Sequence, residues 1–168
     1  MSGFRCIPVP AEVGERWRRT GTDDYGNHLR RMVAQARPVE PDGRRLNGTG
    51  LPCRHCLRDA EPGEELLLGS YRMPRPKGIY WTPSPIFVHA VACRPFARVN
   101  DVAPIVRNRL VSVRAYDGDD QCIYDLGHAG DGSAIDDPLL RALDDARTAF
   151  VNIHTAKPGC MLCRVERV

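Results

Sequence analysis

The sequence predicts an α+β fold, in which a mainly antiparallel β-sheet packs with two helices in a single compact domain. Two observations support this class. Short apolar or alternating runs recur between turn sequences, and only two longer segments carry apolar residues at helical spacing. The chain of 168 residues, 42% of them hydrophobic, is long enough to bury one core. We treat residues 1–168 as one domain, with an Arg-rich strand, helix and loop at 1–49 and a core at 50–168.

The Arg-rich part is predicted to form one strand and one helix. The apolar run Phe4–Val9 predicts an opening strand. A helix is predicted from Asp23 to Ala36, and its apolar residues fall at i, i+3, i+4 and i+7: Leu29, Met32, Val33 and Ala36. Proline ends this helix, and residues 38–52 carry Pro, Gly and Asn without periodicity, which predicts a loop.

The central region is predicted to be built from strands. Apolar runs predict strands at Leu66–Tyr71 and Ile86–Val91. Four prolines within residues 73–85 exclude a central strand or a helix there. Pro104 predicts a single helical turn, and Leu110–Tyr116 alternates with a period of two, which indicates a strand with one buried face.

The last third is predicted to hold two hairpins and a helix. The Asp-Gly-Asp-Asp sequence at 117–120 predicts a turn, with Cys122 to Leu126 as the returning strand. Asp136, followed by Asp and Pro, predicts a helix start, because acidic residues favour the positive end of the helix dipole. Segments Phe150–Thr155 and Met161–Val165 flank Pro-Gly, which predicts a closing hairpin.

The charge pattern argues against nucleic-acid binding. The net charge is +3, and arginine outnumbers lysine 22 to 2, which is typical of GC-rich coding as in an actinobacterium. The positive excess lies within residues 1–50, where acidic residues interrupt the arginine clusters. No nucleic-acid motif accompanies them.

The sequence predicts a cytoplasmic location. No apolar run approaches the roughly 18 residues of a membrane span, and the first residues lack the apolar region of a signal peptide. A reducing compartment favours metal or redox roles for cysteine over disulfides. Seven cysteines, an odd number, also fit poorly with complete disulfide pairing.

Two Cys-x-x-Cys pairs are the most informative feature of the chain. Cys53 and Cys56 form one pair, and Cys160 and Cys163 form the other. If the fold brings the pairs together, four thiolates would suit Zn²⁺, a tetrahedral ion with short sulfur bonds. Three further side chains are possible substitutes in such a site: His89, Cys93 and His154.

Two features weigh against a zinc site made from both pairs. Metal knuckles usually place a small residue after the second cysteine, whereas Leu57 and Arg164 follow here. A spacing of three also puts Cys160 and Cys163 on opposite faces of a regular strand. The second pair would chelate a metal only if it lies in a turn.

The chain resembles a bacterial family known as domain of unknown function 1203. Four stretches carry the resemblance: Leu51 to Glu64; Pro85 to His89 with Cys93; Leu110 to Asp117; and Phe150 to His154 with Gly159-Cys160 and Arg164 to Arg167. They lie in order and cover about residues 50–168. The resemblance implies a bacterial cytoplasmic single-domain protein and no particular substrate. It also implies that an aromatic residue often stands at the position of Cys163, so a four-cysteine site would not be general to the family.

Three functions remain open from the sequence. The first is a small zinc-binding domain, with the metal in either a structural or a catalytic role. The second is an enzyme that uses Cys160 or a zinc-bound water, with His154 or His89 as the base. Its cleft would lie under the proline- and aromatic-rich segment 71–85 and hold a small molecule. The third is a non-catalytic interaction module whose cysteines only pack. The oligomeric state is open.

Overall fold

Two antiparallel sheets and three helices make up the described part of the chain. A computed structural model describes residues 3–37, 41 and 50–168. Its strands are β1 Phe4–Ile7, β2 Arg30–Val33, β3 Glu65–Tyr71, β4 Ser84–His89, β5 Leu110–Tyr116, β6 His128–Asp131, β7 Phe150–Thr155 and β8 Met161–Arg167. Its helices are α1 Ala11–Thr20, α2 Pro104–Arg107 and α3 Asp136–Asp144. The predicted α+β class, mainly antiparallel in one compact domain, is confirmed.

The larger sheet has five strands in the order β1-β8-β7-β5-β6. All neighbours are antiparallel, and β7 and β8 form the predicted closing hairpin, with an irregularity between Ile153 and His154. One face is apolar because alternate residues of each strand point toward α2 and α3. Val113, Ile153 and Leu139 belong to the core cluster on that face.

The smaller sheet has the order β2-β3-β4 and packs on α1. Trp17 of α1 is fully buried against Leu67 and Ile86 of this sheet, and the same cluster includes Met161 at the start of β8. This cluster therefore joins the two sheets. The helix ends at Gly21, whose left-handed conformation (φ 69°) lets its N–H reach the Trp17 carbonyl oxygen at 2.9 Å.

The predicted helix from Asp23 to Ala36 is wrong. The Asp23 carboxylate accepts hydrogen bonds from the main-chain N–H groups of Tyr25, Asn27 and Ser70, which fixes a turn. The segment then enters β2, where Met32 pairs with Leu66 of β3. Helix α1 lies upstream instead; most of its residues are charged or polar, and its buried residues are Val13, Gly14 and Trp17.

Among the described residues, the other predicted strands and helices are confirmed except for one strand. Residues 122–126 do not return along β5: they make one bridge, from Tyr116 to Cys122, and a 3-10 turn at Tyr124–Leu126. The strand that pairs there is β6.

Pro85 lies in β4, which is an edge strand, where a missing N–H is tolerated. Most of the predicted loop 38–52 lies outside the described residues. In the described ranges, no helix combines the length and apolarity that crossing a bilayer requires.

Candidate metal centre

Three cysteines and one histidine converge at the edge of the smaller sheet. The ligand atoms of Cys53, Cys56, His89 and Cys93 all lie within 4.8 Å of one another. The Cys53 and Cys93 sulfurs are 3.9 Å apart, and the Cys56 sulfur is 3.6 Å from His89 Nδ1. Zinc bonds of about 2.3 Å to sulfur and about 2.0–2.1 Å to nitrogen put tetrahedral ligands about 3.6–3.8 Å apart. The observed spacing fits a tetrahedral ion.

A tight turn holds the two sulfurs of the first pair on one side. The Leu57 N–H donates to the Cys53 carbonyl oxygen at 3.0 Å, and the Cys53 N–H donates to the Arg58 carbonyl oxygen at 3.0 Å. Leu57 adopts a left-handed conformation (φ 54°), where a small residue was expected. This conformation costs about 1–2 kcal/mol for a residue with a side chain. Complete burial of the Leu57 side chain in the main core offsets the cost.

Strand β4 brings the other two ligands to this turn. Cys53 bridges to Phe87 in parallel register, and the Arg54 N–H donates to the Phe87 carbonyl oxygen at 2.9 Å. The turn therefore lies along β4, which ends at His89, and Cys93 follows four residues later. Arg18 of α1 donates to the His89 carbonyl oxygen at 3.1 Å, which anchors the strand end to the helix.

A carboxylate orients the histidine from behind. His89 Nε2 lies 3.1 Å from Glu64 Oε2, while Nδ1 faces Cys56. Since a carboxylate only accepts, Nε2 carries the hydrogen, and Nδ1 is the nitrogen available to a metal. Arg58 holds Glu64 through two hydrogen bonds of 2.8 Å, and the Glu61 N–H adds a third of 2.7 Å. Histidine ligands of zinc commonly have such a carboxylate partner.

The electrostatics of the group favour a cation. Hydrogen bonds with Cys56, Cys93 and His89 lower the pKa of Cys53. The hydrogen bond between Cys93 and Cys53 raises the pKa of Cys93. The hydrogen bond between His89 and Cys53 raises the pKa of His89 to about 10. Arg58 lowers the pKa of Glu64 to about 2, so that carboxylate is ionised. Without metal, a proton on His89 balances thiolate charge; a metal ion would take that role and release protons.

The second cysteine pair lies elsewhere. Cys163 is buried in β8, in the same core cluster as Cys6 of β1. Cys160 precedes β8 and lines a separate cavity of about 320 Å³. The structure therefore does not unite the two Cys-x-x-Cys pairs, because the second spans the start of a strand and not a turn. His89 and Cys93, two of the substitute ligands, stand where Cys160 and Cys163 were expected.

The third substitute, His154, stands apart as well. It is buried, its Nδ1 lies 2.8 Å from the Gly159 carbonyl oxygen, and its Nε2 has no hydrogen-bond partner. Burial lowers its pKa to about 4, with a contribution from Arg114. In the described structure no hydrogen bond joins it to Cys160. Only the first part of the segment 71–85 lines a cavity, of about 230 Å³, and Cys160, His154 and His89 are not among its lining residues.

Two residues that complete the site were not predicted. Glu64 and Arg58 were named only within the stretch Leu51 to Glu64 that carries the family resemblance. The predicted strands could have indicated Glu64. If the strand Leu66–Tyr71 pairs antiparallel with the strand that follows it, the first residues of Leu66–Tyr71 lie beside the last residues of the following strand. The observed register, with Leu66 opposite His89, places Glu64 beside the histidine.

Comparison with known proteins identifies a family. The family model described as "Protein of unknown function (DUF1203)" matches residues 50–167, so the chain belongs to this family. The matched range contains all four converging residues, which confirms the resemblance drawn from the sequence. No curated protein and no solved structure matches the chain.

Proposed function

We propose that this member of the family binds a zinc ion through Cys53 Sγ, Cys56 Sγ, His89 Nδ1 and Cys93 Sγ. The observation that carries the proposal is the convergence of these four atoms within 4.8 Å. Three thiolates and an imidazole form a ligand set that suits zinc and that disfavours Mg²⁺ and Ca²⁺, which take oxygen ligands.

The ion would have a structural role. Four protein ligands fill the coordination sphere of tetrahedral zinc, whereas catalytic sites keep one position for water or substrate. The site ties the turn at 53–57 to the end of β4. Leu57 extends that connection into the core of the larger sheet, where its carbonyl oxygen accepts the Ile105 N–H at 3.2 Å. Zinc would therefore fasten the two sheets at one edge.

Metal analysis of matched variants tests the proposal. Protein purified under reducing conditions without chelator is expected to hold about one equivalent of zinc by mass spectrometry. Cys53→Ser and Cys93→Ser should fall below about a fifth of an equivalent, because losing one thiolate weakens a site that was built for four ligands. Cys160→Ser and Cys163→Ala are the matched controls and should keep the wild-type content.

Cobalt substitution adds an independent test of the ligands. Co²⁺ bound by three thiolates in tetrahedral geometry should give an intense visible spectrum and a sulfur charge-transfer band. His89→Ala should shift that spectrum, and His154→Ala should leave it unchanged. Wild-type protein with less than about a tenth of an equivalent of any metal and freely reactive thiols would reject the metal centre.

A further inference from the structure

A cavity beside the cysteine turn is lined by several cationic side chains. Its volume is about 320 Å³, at the lower end of the range for small-molecule sites. Four of the described residues that line it are cationic: Arg37, Arg54, Arg109 and Lys157. We call this cavity the Arg54 cleft. Because Arg109 already pairs with Asp59, the positive charge that attracts an anion comes mainly from Arg54 and Lys157.

Arg54 is the distinctive residue of this cleft, because its charge is buried without a carboxylate partner. Only 2% of the residue is exposed. Its Nε donates to the Met161 carbonyl oxygen at 2.7 Å, and its Nη1 donates to the Pro52 carbonyl oxygen. By contrast, the buried Arg109 pairs with Asp59 at 2.6 Å.

Burying a charge without an opposite charge is costly, because the charge loses its hydration and no ion pair replaces it. Nη2 of Arg54 has no acceptor among the described residues, so its hydrogens are available to a ligand in the cleft. A planar guanidinium with a free edge is suited to a carboxylate or phosphate oxygen.

Apolar surface forms the rest of the cleft. Phe87, Leu110 and Pro158 line it together with the charged residues. A site with apolar walls and a few convergent polar groups favours a ligand with both characters. A bare inorganic ion would leave these walls uncovered.

We infer that the Arg54 cleft binds a small organic anion, whose acidic group pairs with Arg54 and whose apolar body packs on Phe87 and Leu110. This inference goes beyond the proposed zinc site and does not depend on it, because Arg54 and the apolar walls are not metal ligands. The carboxylate and phosphate-ester classes share the recognised chemistry, and the test separates them.

Cys160 provides a reporter within the cleft. It is half-buried and lines the cavity, whereas the half-buried Cys122 does not and serves as an internal control. Alkylation by iodoacetamide is followed at each cysteine by peptide mass spectrometry, on protein as purified and at constant ionic strength. Benzoate and phenyl phosphate are the two anionic probes, and benzamide is the uncharged analogue of benzoate.

We expect at least one anionic probe at saturation to slow alkylation of Cys160 more than about fivefold, with Cys122 unaffected. The more protective of the two identifies the preferred acidic group. Benzamide and inorganic phosphate should protect Cys160 less than about twofold. Equal protection by benzamide, or no protection by either anion, would overturn the inference.

Variants identify the charge that matters. Arg54→Met keeps much of the side-chain volume and should abolish protection. If this variant does not fold, Lys157→Glu at the exposed rim provides the test, because charge reversal there should weaken protection at least about threefold. Arg141→Glu on the exposed face of α3 is the matched control and should protect as the wild type does. Equal protection in Lys157→Glu and Arg141→Glu would contradict an electrostatic role for the cleft. Zinc content is measured on every sample, so a failure of the metal centre is seen separately.

Discussion

Two corners of this protein contain the same residue types, two cysteines three positions apart and a histidine, but arrange them differently. One holds Cys53, Cys56 and His89; the other holds Cys160, Cys163 and His154. Both histidines are buried, at 2% and 6% exposure. Only the first corner gathers its side chains into one group.

Backbone context explains the difference between the cysteine pairs. In the first corner the pair lies in a turn, and the turn puts both sulfurs on the same side. In the second corner β8 begins at Met161, between the two cysteines. Cys163 therefore packs against Cys6 in the core, while Cys160 lines the Arg54 cleft. Identical spacing thus has different consequences in a turn and at a strand start.

Partner chemistry explains the difference between the histidines. The thiol group and Glu64 raise the pKa of His89 to about 10. Burial and the positive charges of Arg114 and Arg54 lower the pKa of His154 to about 4. Burial alone does not make a histidine a ligand; at His89 the thiol beside Nδ1 and the carboxylate on Nε2 supply the context of a metal site.

The largest expected effect is a difference in thermal stability between variants of the first cysteine pair and variants of the second. Zinc binding contributes about 10–16 kcal/mol in small zinc-dependent folds, which matches or exceeds the whole stability of a typical domain. Cys53→Ser, or a strong chelator added to the wild type, should lower Tm by more than about 10 °C. Cys163→Ala removes one buried sulfur and should cost about 1 kcal/mol with zinc retained. Thermal melts with and without chelator measure both. A wild-type melt that is insensitive to chelator would mean that the two corners do not differ in this way.

A second prediction concerns the strained turn that sets the first corner apart. Leu57→Ala should cost about 2–5 kcal/mol, because it removes a fully buried side chain. Leu57→Gly removes the same contacts but also relieves the left-handed strain at φ 54°. Glycine ordinarily destabilises a site by about 0.5–1 kcal/mol relative to alanine. Here we expect Leu57→Gly to be at least as stable as Leu57→Ala in urea unfolding. A clear advantage of alanine would show that the turn does not need this conformation.

A third prediction tests the carboxylate partner of His89. Glu64→Gln keeps the shape and an acceptor oxygen but removes the charge that faces His89 Nε2. We expect zinc affinity to fall by about 10- to 100-fold, as with other carboxylate partners of histidine ligands. Competition with a coloured zinc chelator measures the affinity. Glu65→Gln is the matched control, since Glu65 pairs with Arg31 and not with the centre. Equal affinity in both variants would remove Glu64 from the site.

The local parts of the fold were predictable from the sequence, and the long-range choices were not. Leu110–Tyr116 and the closing hairpin were predicted because alternation along a single strand is a local signal. The segment after Asp23 was mispredicted because side-chain hydrogen bonds to the main chain override apolar spacing.

The same division holds for the site. Cys53 and Cys56 were predictable because both ligands lie in one turn. Choosing Cys93 over Cys163 requires knowing which strand lies beside that turn, and spacing carries no information on this. His89 and Cys93 were candidates only because they are cysteine and histidine four residues apart.

The smallest expected effect is the contribution of His154 to the pH dependence of the free energy of unfolding. Its pKa is about 4 in the folded protein and about 6.5 when unfolded, so between these values the unfolded state binds a proton that the folded state does not. The contribution of this group to stability is therefore retained above pH 6.5 and lost as pH falls toward 4. Between pH 7 and pH 5 the loss should be about 2 kcal/mol.

Replacing His154 separates this loss from other titrations, including proton competition at the zinc ligands. His154→Gln keeps an N–H donor for the Gly159 carbonyl oxygen and does not titrate. Urea unfolding of both proteins at pH 7 and pH 5 should show a pH-dependent loss about 2 kcal/mol larger in the wild type. Identical pH dependence would mean that His154 has an anionic partner after all, and that the two histidine environments are more alike than their contacts indicate.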